Sequence, residues 1–64
     1  MTELLEIARQ HVIDGRKIVE RQRALVDRLR KGGHNTQDAA RTLDMFERSL
    51  AIFEEHLSII ERLE

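Results

Sequence analysis

The chain has no cysteine, proline, tryptophan or tyrosine among its 64 residues. Without cysteine it can form neither a disulfide nor a thiolate metal site. Without proline, no residue removes a backbone donor from a helix, and glycine occurs only at positions 15, 32 and 33. These absences favour long, uninterrupted helices over a small fold held together by cross-links.

Long apolar runs are also missing from the chain. No stretch approaches the roughly 20 apolar residues that are needed to cross a bilayer. Residues 1–6 lack the basic segment and the apolar run of a signal peptide. We therefore expect a cytoplasmic protein that has no membrane partner.

What the chain does contain is charge, and the 11 basic and 12 acidic residues nearly cancel. Together with 41% hydrophobic residues, this balance is typical of long amphipathic helices. So short a chain forms one domain at most, over residues 1–64, and buries too little apolar surface for a secure core. Since no disulfide can add stability, the composition favours self-association as the additional source of stability.

Two adjacent glycines divide the chain. Gly32 and Gly33 follow a basic stretch that suits the last turn of a helix, and either glycine can adopt the left-handed conformation that ends one. The pattern predicts a helix over about 2–31, a turn over 32–35 and a second helix over about 36–63. A connection this short makes the two helices antiparallel neighbours.

Two polar residues, Asn35 and Thr36, can cap the second helix. We favour Thr36 as the cap, because Asn35 also tolerates a positive φ and suits the loop. The predicted fold is thus all-α, an antiparallel two-helix hairpin with a single tight turn.

The apolar residues of the second helix, from Ala39 to Ile60, alternate spacings of four and three, which is the heptad pattern of packed helices. The first helix carries a looser stripe, in which Gly15 falls opposite Phe53 so that small packs against large. Gln22 either fixes the register of the helices or touches water at their edge. The predicted hairpin core comprises Ala8, Gly15, Val19, Gln22, Val26, Leu29, Leu43, Phe46, Leu50, Phe53, Leu57 and Ile60. The stripe of the first helix also takes in Leu4, His11, Ile18 and Leu25.

A second apolar column, Met45, Ile52 and Ile59, lies about 160° around the second helix from Leu50 and Leu57. One neighbouring helix cannot cover so wide a face, and an exposed apolar strip usually marks a contact. We therefore predict that the chain pairs with a second copy as a homodimeric four-helix bundle. The predicted dimer interface comprises Met45, Ser49, Ile52, His56, Ile59 and Leu63.

Charge predicts an orientation for the two copies. Residues 16–31 hold seven basic residues against two acidic ones, whereas the open end of the hairpin is acidic. Turning the second copy end to end would place each basic segment beside the acidic end of the other copy. Because exposed charge pairs contribute only about 0–1 kcal/mol each, this preference is modest.

The basic segment 16–31 supports a different hypothesis, that the chain is a nucleic-acid-associated accessory protein. Against it, the net charge is −1, and neither tyrosine nor tryptophan is present for base stacking. Two long, tightly joined helices also do not resemble a helix-turn-helix. Nucleic-acid binding stays the alternative to a protein partner.

The three histidines do not have the spacing of a catalytic or metal site. His11 and His56 fall at one level of the hairpin, but the Glu-x-x-His pairs of bundle metal sites are absent. His11 invites comparison with the phosphotransfer domain of sensor histidine kinases, yet Val12 replaces the acidic residue that follows the phosphoacceptor there, and we place His11 on the buried side of the stripe. We therefore predict no enzyme activity, cofactor, metal or small-molecule substrate.

Several segments carry a family resemblance. They are His11–Gly15, Ile18–Arg23, Gly33–Thr36, Phe46–Glu47 and His56. Together they resemble a group of short uncharacterised proteins of rhizobial and related α-proteobacteria, in which an aspartate is commoner than Asn35. The resemblance implies a bacterial, cytoplasmic helical hairpin and brings no established activity with it.

Two of these elements define a candidate partner surface, which comprises Arg21, Arg23 and His34. The turn element, Gly33–Thr36, also suits a tight turn between helices without any partner. The function that we predict is a non-enzymatic interaction or regulatory module, a homodimer that contacts another protein through its exposed faces.

Overall fold

The chain folds as two α-helices packed side by side in an antiparallel hairpin. The computed structural model describes residues 2–63, and of residue 2 only the backbone, so the end residues of the predicted domain lie outside the description. Helix α1 spans Thr2–Lys31 and helix α2 spans Gln37–Leu63. The hairpin measures 48 × 14 × 12 Å. The all-helical hairpin that the sequence predicts is confirmed.

A single left-handed residue ends α1. Gly33 has a φ of +74°, its N–H donates to the carbonyl of Arg30 at 3.1 Å, and the N–H of His34 donates to the carbonyl of Leu29 at 2.9 Å. This pair of hydrogen bonds is the Schellman motif, which satisfies carbonyls that the helix leaves free at its end. Of the two predicted glycines, Gly33 is the one that turns the chain.

The start of α2 is capped by a different side chain from the one predicted. Asn35 Oδ1 accepts a hydrogen bond from the N–H of Gln37 at 2.8 Å, while the carbonyl of Thr36 accepts the first helical bond, from Ala40 at 2.8 Å. Thr36 therefore holds the N-cap position with its backbone, and Asn35 supplies the side-chain oxygen. The reason is that an asparagine reaches the amide two residues further along the chain.

The two helices meet along one heptad seam on each. On α1, the seam residues alternate spacings of three and four, and four of them, Ala8, Val12, Val19 and Val26, are buried. On α2, all seven seam positions are half-buried, and none is fully buried. The seam of α1 comprises Leu5, Ala8, Val12, Gly15, Val19, Gln22, Val26 and Leu29. The seam of α2 comprises Ala39, Leu43, Phe46, Leu50, Phe53, Leu57 and Ile60.

The seam of α1 corrects part of the predicted stripe. Val12, which the sequence analysis left out, is the most buried side chain of the hairpin at 2% exposure. Leu4 and Ile18 are exposed, and His11 is exposed as well. These three residues form the column next to the seam. The prediction that His11 lies on the buried side was therefore wrong.

Candidate interaction surfaces

Apolar side chains are concentrated on one side of the hairpin. Among the described residues, eight large hydrophobic side chains are exposed, and seven of them lie on the same side of the seam. Ile13 alone lies on the other side, which is unremarkable for a single exposed residue. We call the seven the apolar face. They are Leu4, Ile7, Ile18, Met45, Ile52, Ile59 and Leu63.

The heptad repeat places these residues on a common face. Side chains seven residues apart keep nearly the same direction around a helix. The columns that contain Ile18 on α1 and Ser49 on α2 lie roughly a quarter turn from the seam, both on the same side of it. A quarter turn is the direction in which a helix of a four-helix bundle meets its second neighbour. The column of α1 comprises Leu4, His11, Ile18 and Leu25, and that of α2 comprises Thr42, Ser49, His56 and Leu63. The other four residues of the apolar face, Ile7, Met45, Ile52 and Ile59, lie one column further from the seam on the same side.

All six residues of the predicted dimer interface belong to this side. Met45 and Leu63 are the most exposed of the large hydrophobic residues, at 65% and 74%, and Ser49 and His56 are exposed too. The sequence analysis missed the half of the face that α1 supplies. The residues that could have revealed this half in the sequence are Leu4 and Ile18, which we had assigned to the seam, and Ile7.

A groove at the open end of the hairpin brings two of the histidines together. The rings of His11 and Phe53 lie 5.2 Å apart between centroids, tilted by 44°, and His56 lines the same groove. The groove is otherwise apolar, with Leu4, Ile7, Ala8 and Ile60 around it. Within residues 2–63, no group of three histidine, aspartate or glutamate side chains is close enough to hold a metal ion.

The opposite side of the seam is charged. Arg16 Nη2 lies 3.2 Å from Glu54 Oε2, and Arg23 Nη2 lies 2.9 Å from Glu47 Oε2, with all four side chains about half exposed. Both pairs join one column of arginines on α1 to one column of glutamates on α2. We call these columns the charged edge. It comprises Arg9, Arg16, Arg23, Arg30, Glu47, Glu54 and Glu61.

Sequence reasoning overlooked the charged edge, although its signal was present. Arginines recur every seven residues from Arg9 to Arg30, and glutamates do so from Glu47 to Glu61. Charged columns that flank an apolar seam select the partner and direction of packed helices. The two ion pairs across this edge therefore favour the antiparallel pairing of α1 with α2.

The basic segment 16–31 does not form one continuous positive stripe. Arg16 and Arg23 are paired with glutamates across the seam, and Lys31 pairs with Asp27 at 3.0 Å. The other basic side chains of the segment point in at least three directions around α1. They are Lys17, Arg21, Arg28 and Arg30.

The three residues of the predicted partner surface are not brought together. Arg21 and Arg23 point about 160° apart around α1. His34 lies in the turn, where its ring packs on Gly32, since a Cβ atom built on that glycine would lie 2.9 Å from His34 Cδ2. Between the arginines, Gln22 Nε2 donates to the carbonyl of Ala39 at 2.9 Å. That hydrogen bond ties the two helices together and favours the register role for Gln22.

The chain matches no family model, and no curated protein or solved structure is significantly similar to it. The resemblance to rhizobial hairpin proteins therefore stays a prediction. None of the helices within residues 2–63 combines the length and apolar character that a bilayer span requires.

Proposed function

We propose that the chain acts as a homodimeric four-helix bundle, a non-enzymatic module for protein interaction or regulation. The observation that carries this proposal is the apolar face, where seven of the eight exposed large hydrophobic residues share one side of the hairpin. A face of this kind usually marks a protein contact. A second copy is the simplest partner, because most soluble oligomers are symmetric homo-oligomers.

The surface area of the hairpin supports this assembly. Its accessible surface is 5066 Å², whereas a folded monomer of 7.5 kDa is expected to expose about 4,250 Å². The excess of about 800 Å² equals the area that each partner buries in a standard protein interface. Covering the apolar face with a second copy would remove part of this excess from water.

The core of the single hairpin is small. Its buried side chains, Ala8, Val12, Val19 and Val26, are small and all belong to α1, while α2 buries none completely. A domain below about 70–80 residues rarely gains more than 3–5 kcal/mol from one core. Docking a second copy against α2 would add a second apolar layer and raise the stability of both hairpins.

In the proposed dimer, both charged edges remain outside. They are the surface that is left for another protein, and their arginines and glutamates suit a partner with an alternating charge pattern. The proposal includes no catalytic step, cofactor or small-molecule substrate. Nucleic-acid binding through residues 16–31 has less support, because three of its seven basic residues already pair with acidic ones.

The test is the solution mass of three proteins, measured by light scattering after size exclusion over a wide range of concentration. Wild type should have twice the 7.5 kDa chain mass. Ile52→Glu, which puts a charge into the apolar face, should be monomeric or unfolded. Ile13→Glu makes the same chemical change on the other side of the hairpin and should stay dimeric.

The three masses distinguish a dimer through the apolar face from a dimer through the charged side and from a monomer. A wild-type monomer that is fully helical would overturn the proposal. A dimer that Ile13→Glu disrupts and Ile52→Glu leaves intact would move the interface to the charged side. Helicity measured on each sample by circular dichroism shows whether a loss of mass reflects dissociation or unfolding.

A further inference from the structure

We propose that two hairpins together hold one zinc ion, through His11 and His56 of each copy. The inference rests on the proposed function, since the second copy supplies half of the ligands. The sequence analysis predicted no metal site, because the Glu-x-x-His pairs of bundle metal sites are absent. The structure shows a different arrangement, in which each hairpin contributes one imidazole from either helix.

The two histidines lie at the same level of the hairpin. They line one groove at its open end, and both side chains are exposed. The ring of His11 packs against that of Phe53, with 5.2 Å between the centroids, and this contact restricts the rotation of the imidazole. Each hairpin therefore presents two imidazoles next to each other, one of them held in place.

Both imidazoles belong to the side that the second copy covers. His11 and His56 lie a quarter turn from the seam, in the direction in which a helix of a four-helix bundle meets its second neighbour. Dimerisation takes these polar rings out of water, and a buried polar group without a bonding partner costs free energy. A metal ion would provide that partner. The rest of the groove is apolar and is lined by Leu4, Ile7, Ala8 and Ile60.

A second copy with its turn at the same end completes the ligand set. The two-fold axis then runs along the bundle, so that each level of one hairpin meets the same level of the other and four imidazoles share one layer. Four nitrogen ligands in a tetrahedron, each about 2.0–2.1 Å from the metal, suit zinc. Since protein ligands fill all four positions, the site is structural and leaves no position for a substrate.

Asp14 supplies negative charge, which four neutral imidazoles lack. It follows His11 by three residues and therefore lies one turn away on a neighbouring part of the helix surface. Its Oδ1 accepts a hydrogen bond from Gln10 Nε2 at 2.9 Å, and it forms no ion pair within residues 2–63. The two symmetric carboxylates would balance the charge of the ion, and carboxylates near ligating histidines strengthen metal binding.

The metal also decides how the two hairpins are oriented. Turns at the same end set Ile7 beside Ile59 of the second copy, which is favourable, but Asp14 beside Ile52, which is not. Zinc offsets the unfavourable contact, because Asp14 then lies near a positive charge. The charge distribution along the chain favours opposite ends only modestly, whereas a structural zinc ion contributes strongly to folding free energy.

Calorimetric titration with zinc chloride tests the site. Wild type should bind one zinc ion per two chains. His11→Ala and His56→Ala each remove two of the four ligands and should weaken binding by more than about 100-fold. His34→Ala is the matched control, because His34 lies in the turn with its ring on Gly32, and it should bind zinc like wild type. Circular dichroism on each variant verifies that the helices are kept.

Cobalt(II) in place of zinc reports the coordination geometry, since a tetrahedral cobalt ion absorbs visible light far more strongly than an octahedral one. Strong absorption is expected for wild type and His34→Ala, and its absence from His11→Ala. Asp14→Asn should keep the absorption and weaken zinc binding roughly 10-fold. Weak, octahedral absorption by wild type would overturn the four-imidazole site.

The solution mass in chelator and in zinc separates failure of the site from failure of the dimer. A dimer in both conditions that binds no zinc, or one ion per chain, overturns the site and leaves the proposed dimer standing. The mass of one chain in both conditions overturns the dimer and the site with it. A single chain that zinc converts into a dimer supports the site. Equal weakening of zinc binding by His11→Ala and His34→Ala would show adventitious binding to exposed histidines and would overturn the site.

Discussion

Gly15 lies so close to Leu50 that a Cβ atom built on the glycine would be 3.1 Å from Leu50 Cδ1. The ring of Phe53 also approaches this position, at 3.8 Å. A glycine inside a helix costs about 1 kcal/mol relative to alanine. At Gly15 this loss of helix stability allows α2 to pack closely against α1. The sequence pattern predicted Phe53 opposite Gly15, and Leu50 proves to be the nearer of the two.

We predict that Gly15→Val lowers the free energy of unfolding by about 1–3 kcal/mol, because the larger side chain overpacks the seam. Ala24→Val is the matched control, since Ala24 is exposed on α1, and it should change the stability by less than about 0.5 kcal/mol. Urea denaturation at one fixed protein concentration measures both. Equal stability of the two variants would show that the helices do not approach closely at Gly15.

Gly33 should tolerate substitution only by residues that accept a positive φ. Gly33→Ala is expected to cost about 1–2 kcal/mol, because an L residue is strained in the left-handed region. Gly33→Asn should cost clearly less, since asparagine visits that region more readily. Thermal unfolding of the two variants side by side tests this order. The reverse order would mean that the turn is not the one described.

Val12 should contribute more to stability than its sequence neighbours. Its side chain is 2% exposed, and complete burial of a valine contributes about 1.5–3 kcal/mol. Val12→Ala should lose a large part of that free energy, whereas Ile13→Ala, 44% exposed on the other side of α1, should lose little. If denaturation found the larger loss in Ile13→Ala, the buried side of α1 would not be the one described.

The ion pairs of the charged edge should add little stability, because their side chains are about half exposed. A double-mutant cycle with Arg23→Ala and Glu47→Ala is expected to give a coupling free energy of about 0–1 kcal/mol. None of these variants should change the solution mass. A loss of the dimer in Arg23→Ala would instead place the charged edge at the interface.

The seam of α2 was predicted from the sequence, whereas that of α1 was predicted only in part, since Leu5 and Val12 were left out. On α2, the seven seam residues are clearly more apolar than the columns that flank the seam on either side. On α1, the column next to the seam carries Leu4 and Ile18 and is nearly as hydrophobic as the seam itself. Hydrophobicity alone cannot choose between two such columns. The arginine column distinguishes the two, because its exposed side chains mark the other side of the seam.

The same ambiguity limited the prediction of the candidate site. The α2 half of the apolar face was predicted, since Met45, Ile52 and Ile59 stand apart from an unambiguous seam. The α1 half was missed, because two of its residues had been assigned to that seam. The turn was easier to predict, because the helix ends on a left-handed residue and glycine is the residue that most often adopts this conformation there.

The central claim is that one hairpin is completed by a second copy, and the concentration dependence of thermal unfolding tests it most directly. Unfolding is followed by circular dichroism at 222 nm, the usual helix signal. If folding and dimerisation are coupled, Tm should rise by about 10 °C over a hundredfold increase in protein concentration. A cooperative transition whose Tm does not change over that range would show that the single hairpin is stable alone, and would contradict the claim.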